Sequence, residues 1–251
     1  NKVNDKTILF NLRDDLTLLQ TVEEIQPDVI VNCSGILPSE AAQDPEKAIY
    51  LNAYLPHRLS RLCDVMGCKL IHISTDCVFS GAKGNYTEGD PKDGSGNYAV
   101  TKSLGEVTTE GHLTIRTSTV GPEIKESGTG LFHWFMNQNG VISGYESAFW
   151  SGVSTHQFAK SIEWAIREDI TGIYHISNGD QISKYDLLCL FKKHTGREVV
   201  INKTAGPAIN KSLIDSRCEI DYEIPDYDAM IKEMVDLVSS NRLRYPEYEL
   251  P

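Results

Sequence analysis

Two short, mainly apolar runs constrain this chain more than any other feature. Val29-Ile30-Val31 and Lys69-Leu70-Ile71-His72-Ile73 lack the polar alternation of a strand with one face in water. Continuous β-branched and aliphatic runs of this length suit strands covered on both faces. Between them, from about Glu46 to Met66, Ile49, Leu51, Ala53, Leu55, Leu59 and Leu62 recur at helical spacing. A further strand is expected at His112-Leu113-Thr114-Ile115-Arg116-Thr117, after another helix. Strand, helix, strand at this spacing predicts βαβ units, hence a parallel sheet with right-handed crossovers. Each of the three strands ends in small polar residues: Asn32 to Gly35, Ser74 to Cys77, and Thr117 to Val120. Open parallel sheets bind ligands at such carboxyl ends.

The remaining elements follow from local signals. Lys6 to Phe10 reads as a short strand, and Asp14 or Asp15 as the N-cap of a helix through Ile25. Leu131 to Met136 predicts a short apolar helix after a loop over Glu123 to Gly130, and the chain turns irregular from Gly140. Phe158, Ile162 and Ile166 mark one face of a helix over Thr155 to Arg167. A strand at Ile173 to Ile176, a helix capped by Ser183 through Lys193, a strand at Val199 to Ile201 and a helix from about Asp226 to Ser239 complete the chain. At 251 residues there is room for one large α/β domain and a smaller lobe. The net charge of -11, with no Lys/Arg cluster, argues against a nucleic-acid partner. Six cysteines without metal spacing point to free thiols in a reducing cytoplasm, no metal is expected, and no apolar run is long enough for a membrane span.

The chemistry concentrates between Ile71 and Lys102. Asn97-Tyr98-Ala99-Val100-Thr101-Lys102 reads as a helix, continuing through Val107, with Tyr98 and Lys102 four positions apart and so on one face. An ammonium beside a phenol favours the phenolate, so Lys102 is expected to lower the pKa of Tyr98. Thr75, on the preceding strand end, could complete a proton-transfer group, with Ser74 its competitor. By itself a Tyr-x-x-x-Lys pair is more often a solvated surface pair; the strand motif before it reverses that weighting. Cys33 and Cys77 read as small structural residues, and His72, His133, Trp134 and His175 as core or packing residues.

Pro27-Asp28-Val29-Ile30-Val31-Asn32, Leu51-Asn52-Ala53, Ser74-Thr75-Asp76-Cys77-Val78-Phe79-Ser80-Gly81, Tyr98-x-x-x-Lys102 and Arg116-Thr117 together resemble the extended short-chain dehydrogenase/reductase superfamily, in its dTDP-4-dehydrorhamnose reductase-like branch. The resemblance covers most of the chain in order. It implies a Rossmann-like doubly wound parallel sheet, over residues 1–122 with returning segments at about 153–176, and a small substrate lobe from about 123–152 and 177–251. It implies catalysis by Thr75, Tyr98 and Lys102, and a cofactor, NADPH or NADH with NADPH favoured, held by Asn11, Leu12, Cys33, Ser34, Gly35, Asn52, Tyr98, Lys102 and Thr117. A nucleotide sugar would lie against Thr75, Asp76, Cys77, Tyr98, Thr119 and Trp150. Thr119 departs from the pattern, which has an aromatic residue there, and leaves the sugar open.

The Gly-x-x-Gly-x-x-Gly turn of this superfamily is absent, and no glycine precedes Gly35. The first βαβ unit is therefore expected upstream of this sequence, the alternative being a degenerate member without cofactor. The expected activity is NAD(P)H-dependent reduction of the 4-keto group of a nucleotide-activated deoxysugar for cell-surface polysaccharide. The alternatives are an epimerase or dehydratase of the same superfamily, or a non-catalytic regulatory protein on this fold. A homodimer stays open as an assembly.

Overall fold

The computed structural model describes residues 6–125, 128–217, 220–248 and 250. The two apolar runs form β1 (Val29–Asn32) and β2 (Lys69–Ile73), and with β3 (Leu113–Arg116) and β8 (Gly172–His175) they make one sheet in the order β1-β2-β3-β8. All three pairings are parallel, with Val31 opposite Ile71 and Ile73 opposite Ile115. The core sits where the runs predicted it, with Leu70, Ile71, Leu113 and Ile115 wholly buried.

The first helix, α1 (Asp15–Ile25), is capped by Asp14, whose carboxylate accepts from the Thr17 N–H. Between β1 and β2 lie α2 (Pro38–Gln43), α3 (Pro45–Ala48), a π-helical segment (Ile49–Tyr54) and α4 (Leu55–Met66), which ends on Gly67 at φ 70°. After β2 comes a single 3₁₀ turn, Asp76–Val78, then α5 (Gly96–Leu104). The expected extension of α5 to Val107 stops at Leu104, because the chain at Gly105 is pressed against the backbone of Asn52, where a Cβ would overlap the Asn52 carbonyl oxygen.

The second half begins with β4 (Thr119–Val120) and α6 (Leu131–Met136). The stretch expected to be irregular from Gly140 forms β5 (Gly140–Tyr145) and β6 (Ala148–Trp150), followed by β7 (Val153–Ser154) and α7 (Thr155–Arg167). Beyond β8 come β9 (Ile182–Ser183), α8 (Lys184–Thr195), β10 (Val199–Thr204), β11 (Ile209–Asn210) and α9 (Tyr227–Ser240). Strands β5 and β6 were hidden from sequence because their partners, β10, β11 and β9, lie 30 to 60 residues away. Lys6 to Phe10, expected as a strand, does not form one, and Ile8 and Leu9 are exposed.

A buried ionic cluster holds the strand ends together. Glu106, just past α5, accepts from Arg116 Nε at 2.8 Å and Nη2 at 2.9 Å, and from the Ser74 hydroxyl at 2.8 Å. Lys92 adds an ion pair at 3.0 Å. The Arg116 guanidinium also donates to the Glu88 carbonyl, contacts His175 Nε2, and lies over the Phe79 ring. Burial alone would raise the Glu106 pKa, but Arg116, Ser74 and Lys92 outweigh it and the net shift is downward. Its stabilisation is therefore complete above the ordinary value of 4.5 and lost as the pH falls through the lower folded value. Removing one member of such a pair strands a buried charge. Arg116→Met is expected to destabilise the protein by about 3 kcal/mol in chemical denaturation at pH 7. The difference from wild type should shrink below pH 4.5, where Glu106 can take up a proton.

Candidate active site

Tyr98, Lys102 and Thr75 converge on one cavity of about 390 Å³ at the carboxyl ends of β1, β2 and β3. Its wall also includes Cys33, Ser34, Gly35, Asp76, Cys77, Thr117 and Thr119. The two halves of the site are brought together by Asp93 and Gly94. The Ser80 N–H and hydroxyl both donate to the Asp93 carboxylate, at 2.8 and 2.6 Å, and the Gly94 N–H donates to the Val78 carbonyl at 2.9 Å. A Cβ at Gly94 would overlap the Val78 backbone, so only glycine lets the start of α5 approach the Thr75–Val78 turn this closely.

Thr75 Oγ1 accepts from the Cys77 N–H at 3.1 Å and donates to Asp76 Oδ1 at 3.1 Å. The neighbouring Ser74 also lines the cavity, but its hydroxyl is donated to the buried Glu106, whereas Thr75 Oγ1 has only the exchangeable bond to Asp76. The Tyr98 ring packs against the apolar cluster of Ile36, Ala41 and Ala48, which fixes its direction. Lys102 crosses below it and donates to the Ile73 carbonyl at 2.6 Å.

The titration of the pair differs from the sequence expectation. Burial pushes the Tyr98 phenol up to about 12, against a smaller downward pull from the Thr75 hydroxyl. Burial takes the Lys102 ammonium down to about 8, partly offset by Glu106 and Cys33. Lys102 is not among the groups acting on the phenol, and its ammonium donates to the Ile73 carbonyl. Desolvation, which spacing along a helix does not report, outweighs the charge pairing. Asp76 is also raised by burial, with Lys211, Thr75 and Lys184 pulling it back.

Asn52 reaches the site through others. It sits in the π-helical segment, wholly buried, where its Oδ1 accepts from the Ile36 N–H at 2.9 Å and its Nδ2 donates to the Ile36 carbonyl and to Thr101 Oγ1, each at 3.3 Å. It thereby ties the loop after β1 to α5. Leu12 lines an apolar groove along β1 with Phe10, Val22 and Ile30, and this groove shares Cys33 and Ser34 with the cavity; Asn11 accepts from the Arg13 N–H. Trp150 is not in the cavity wall; it is buried in the core, with Lys184 over its ring. Wall residues not singled out from sequence are Ile36, Leu37, Pro38 and Phe158. Phe158 was legible only as one of three apolar positions on its helix.

Two features fit the nicotinamide-ribose end of a dinucleotide. Cys33, Ser34 and Gly35 line the same cavity as Lys102, and Gly35 has no room for a side chain, since a Cβ would stand 2.9 Å from Asn52 Oδ1. Among the described residues there is no group of three metal-ligating side chains, and no helix is long and apolar enough to cross a membrane.

The profile of the RmlD substrate binding domain family matches residues 4–210. The spore coat polysaccharide biosynthesis protein SpsK of Bacillus subtilis is 27% identical over 223 residues, 80% of this chain and 76% of that one. The methionine adenosyltransferase 2 subunit beta of Xenopus laevis is 26% identical over 194 residues, 72% of this chain but only 58% of that one. A crystal structure described as a hypothetical dTDP-4-dehydrorhamnose reductase from Sulfolobus tokodaii superposes with a TM-score of 0.75 at 25% identity, over 90% of this chain and 88% of that one. The dTDP-4-dehydrorhamnose reductase of Bacillus anthracis, solved in complex with NADP, has the same fold, with a TM-score of 0.79 at 20% identity over 91% of this chain and 87% of that one.

The lowered Lys102 pKa has a measurable signature. Between about 8 and the ordinary value of 10.5 the unfolded chain holds a proton that the folded one has released, so stability gains from this group as the pH rises through that window. Denaturation midpoints compared at pH 7.5, 9 and 10 should show this gain in the wild type and its loss in Lys102→Met. A second variant probes the brace: Asn52→Ala strands the Ile36 N–H and carbonyl and is expected to cost about 2 kcal/mol in the same assay.

Proposed function

This chain belongs to the RmlD substrate binding domain family, and we propose that it is an NAD(P)H-dependent oxidoreductase, with NADPH preferred, that reduces the 4-keto group of a nucleotide-activated deoxysugar. One observation carries the reading: Thr75, Tyr98 and Lys102 meet in a single cavity at the carboxyl ends of a parallel sheet. A non-catalytic scaffold has no physical need for all three there. The likeness to SpsK supports a place in making sugars for cell-surface polysaccharide. The cytoplasm is the proposed compartment, in keeping with the free thiols of Cys33, Cys63, Cys68, Cys77 and Cys189; Cys218 lies outside the described residues.

When bound, the reduced nicotinamide supplies hydride to the carbonyl carbon. Tyr98 gives its proton to the sugar oxygen as negative charge develops there. A phenol held up to about 12 keeps that proton throughout the neutral range, which suits the acid role in the direction of reduction. The Thr75 hydroxyl, rotated from Asp76 toward the cavity, donates a second hydrogen bond to the same oxygen. Lys102 would hold the ribose hydroxyls of the cofactor. Cys33, Ser34 and Gly35 pack against the cofactor, and Asn52 keeps their loop in place through Ile36.

A regulatory role without turnover is the second reading, favoured by the likeness to the methionine adenosyltransferase 2 subunit beta. The same assay separates the two. Purified protein should oxidise NADPH in the presence of a nucleotide 4-keto sugar. Tyr98→Phe should lower kcat by about 10²–10⁴-fold while the Kd for NADP+ stays within twofold. Near-normal turnover in that variant would remove the proton-donor assignment, and absence of turnover in the wild type would favour the regulatory reading.

A further inference from the structure

Asn32 and His72 are buried polar residues near the carboxyl ends of β1 and β2, and neither belongs to the proton transfer described above. They stand opposite each other in the parallel β1–β2 ladder, so their side chains leave the sheet on one face. Asn32 Nδ2 lies 3.1 Å from His72 Nδ1. At its other end the Asn32 amide meets Ser34, whose backbone N–H stands 3.1 Å from Asn32 Oδ1 and whose hydroxyl reaches the same oxygen. Ser34 in turn lines the cavity of Thr75, Tyr98 and Lys102.

Each proton along this line of contacts is fixed by its neighbours. A backbone N–H only donates, so the Ser34 N–H must meet the amide oxygen, and the amide nitrogen is turned to His72. That nitrogen also only donates, so His72 Nδ1 accepts and the ring proton sits on Nε2. Nε2 has no hydrogen-bond partner among the described residues. Burial, with Lys102 and His57 nearby, holds the imidazole well below its ordinary value of 6.5, which keeps the ring neutral and Nδ1 bare. An amide oxygen has no proton to give, so the Ser34 hydroxyl is the donor in their bond. Ser34 has then spent its only side-chain proton inside the protein, and it has lone pairs alone to offer a ligand. Lys102 is the complement, since an ammonium donates and never accepts. The Cys33 thiol, next to Ser34 in the chain, and the Lys102 ammonium act on each other, which brings the ammonium to this wall. A hydroxyl satisfies both kinds of group, its oxygen accepting and its proton donated. A pyrophosphate oxygen carries no proton at neutral pH and would meet Ser34 lone pair against lone pair.

We infer that Ser34 is an obligate hydrogen-bond acceptor, held in that state by Asn32 and His72, and that it selects a hydroxyl of the nicotinamide ribose over the phosphates of the same cofactor. The inference rests on the NAD(P)H reading proposed above. It makes His72 a positioning residue, acting on the ligand only through Asn32 and Ser34. In the other tautomer of the ring the Asn32 amide would reverse, and the Ser34 hydroxyl would be free to donate.

Two measurements on the intact protein test this. Nitrogen NMR of the ligand-free protein at neutral pH, with His72 assigned by its loss in His72→Gln, should show a bare Nδ1 and a protonated Nε2. The opposite tautomer or a doubly protonated ring would overturn the inference whatever the cavity binds. Titration calorimetry gives the second readout. Ser34→Ala should weaken NADP+ about tenfold, while the adenosine bisphosphate fragment of NADP+, which has no nicotinamide ribose, keeps its affinity within twofold. Ser34→Thr, which keeps the hydroxyl, should recover most of the loss. His72→Phe, which keeps a ring in the core but offers Asn32 no acceptor, should lose part of the same affinity, and in the double variant the two losses should not add. Additive losses would confine His72 to the core and overturn its positioning role. If Ser34→Ala binds NADP+ as tightly as wild type, the ribose contact is wrong and the cofactor reading survives. Equal losses for NADP+ and its adenosine fragment would move Ser34 to the other end of the cofactor and overturn the inference. If the wild type binds neither NADP+ nor NAD+, the cofactor reading falls and the ribose contact with it.

Discussion

Glu106 occupies the point on which the active site depends. Its carboxylate is sealed from solvent just past the end of α5, and it gathers the Ser74 hydroxyl from the end of β2, the Arg116 guanidinium from the end of β3 and the Lys92 ammonium from the intervening loop. A buried carboxylate must have such partners, because an unpaired charge there would cost several kcal/mol. Meeting that requirement fixes three strand and helix ends relative to one another. It also engages the Ser74 hydroxyl, and that of Thr75, one residue on, is left for the chemistry. Lys102, on the last turn of α5 and four residues before Glu106, is steadied by the same anchor.

The site works against its own burial. Tyr98 is held above the ordinary phenol range and Lys102 below the ordinary ammonium range, and in both cases desolvation is the leading cause. For the phenol this is useful, since a proton kept to high pH is on hand when an alkoxide forms. For the ammonium it is a cost to folding at neutral pH, offset by the hydrogen bond to Ile73 and by Glu106 below it. Residues retained despite destabilising the fold are characteristic of functional sites. Lys184, desolvated over Trp150 and only partly compensated by Asp76, belongs with Lys102 in that respect.

Much of the site was legible because its signals are local. The strand ends at Asn32, Ser74 and Thr117, the i, i+4 spacing of Tyr98 and Lys102, and the Asp14 and Ser183 caps all rest on contacts within a few residues. The misreadings share a different cause. Residues 7–10 have strand-like residues, but a strand exists only with a neighbour to receive its hydrogen bonds. Strands β5 and β6 went unread because Val141 and Val200, or Phe149 and Asn210, recognise each other only across the folded chain. Trp150, expected to touch substrate, is buried in β6 and lies outside the cavity wall, a placement set by a strand pairing that local sequence does not show.

The sequence by itself determined the parallel sheet, through apolar runs that only a doubly covered strand can satisfy, and it placed Thr75, Tyr98 and Lys102 at strand and helix ends where they could meet. Tertiary structure decided how they titrate, because burial depends on what packs around a side chain and helical spacing says nothing of it. It also decided which polar neighbours were spent on structure, Ser74 on Glu106 and Asn52 on Ile36. And it brought Lys211 against Gly81 from 130 residues away in the chain, a juxtaposition that rests on the folded backbone and has no trace in local sequence.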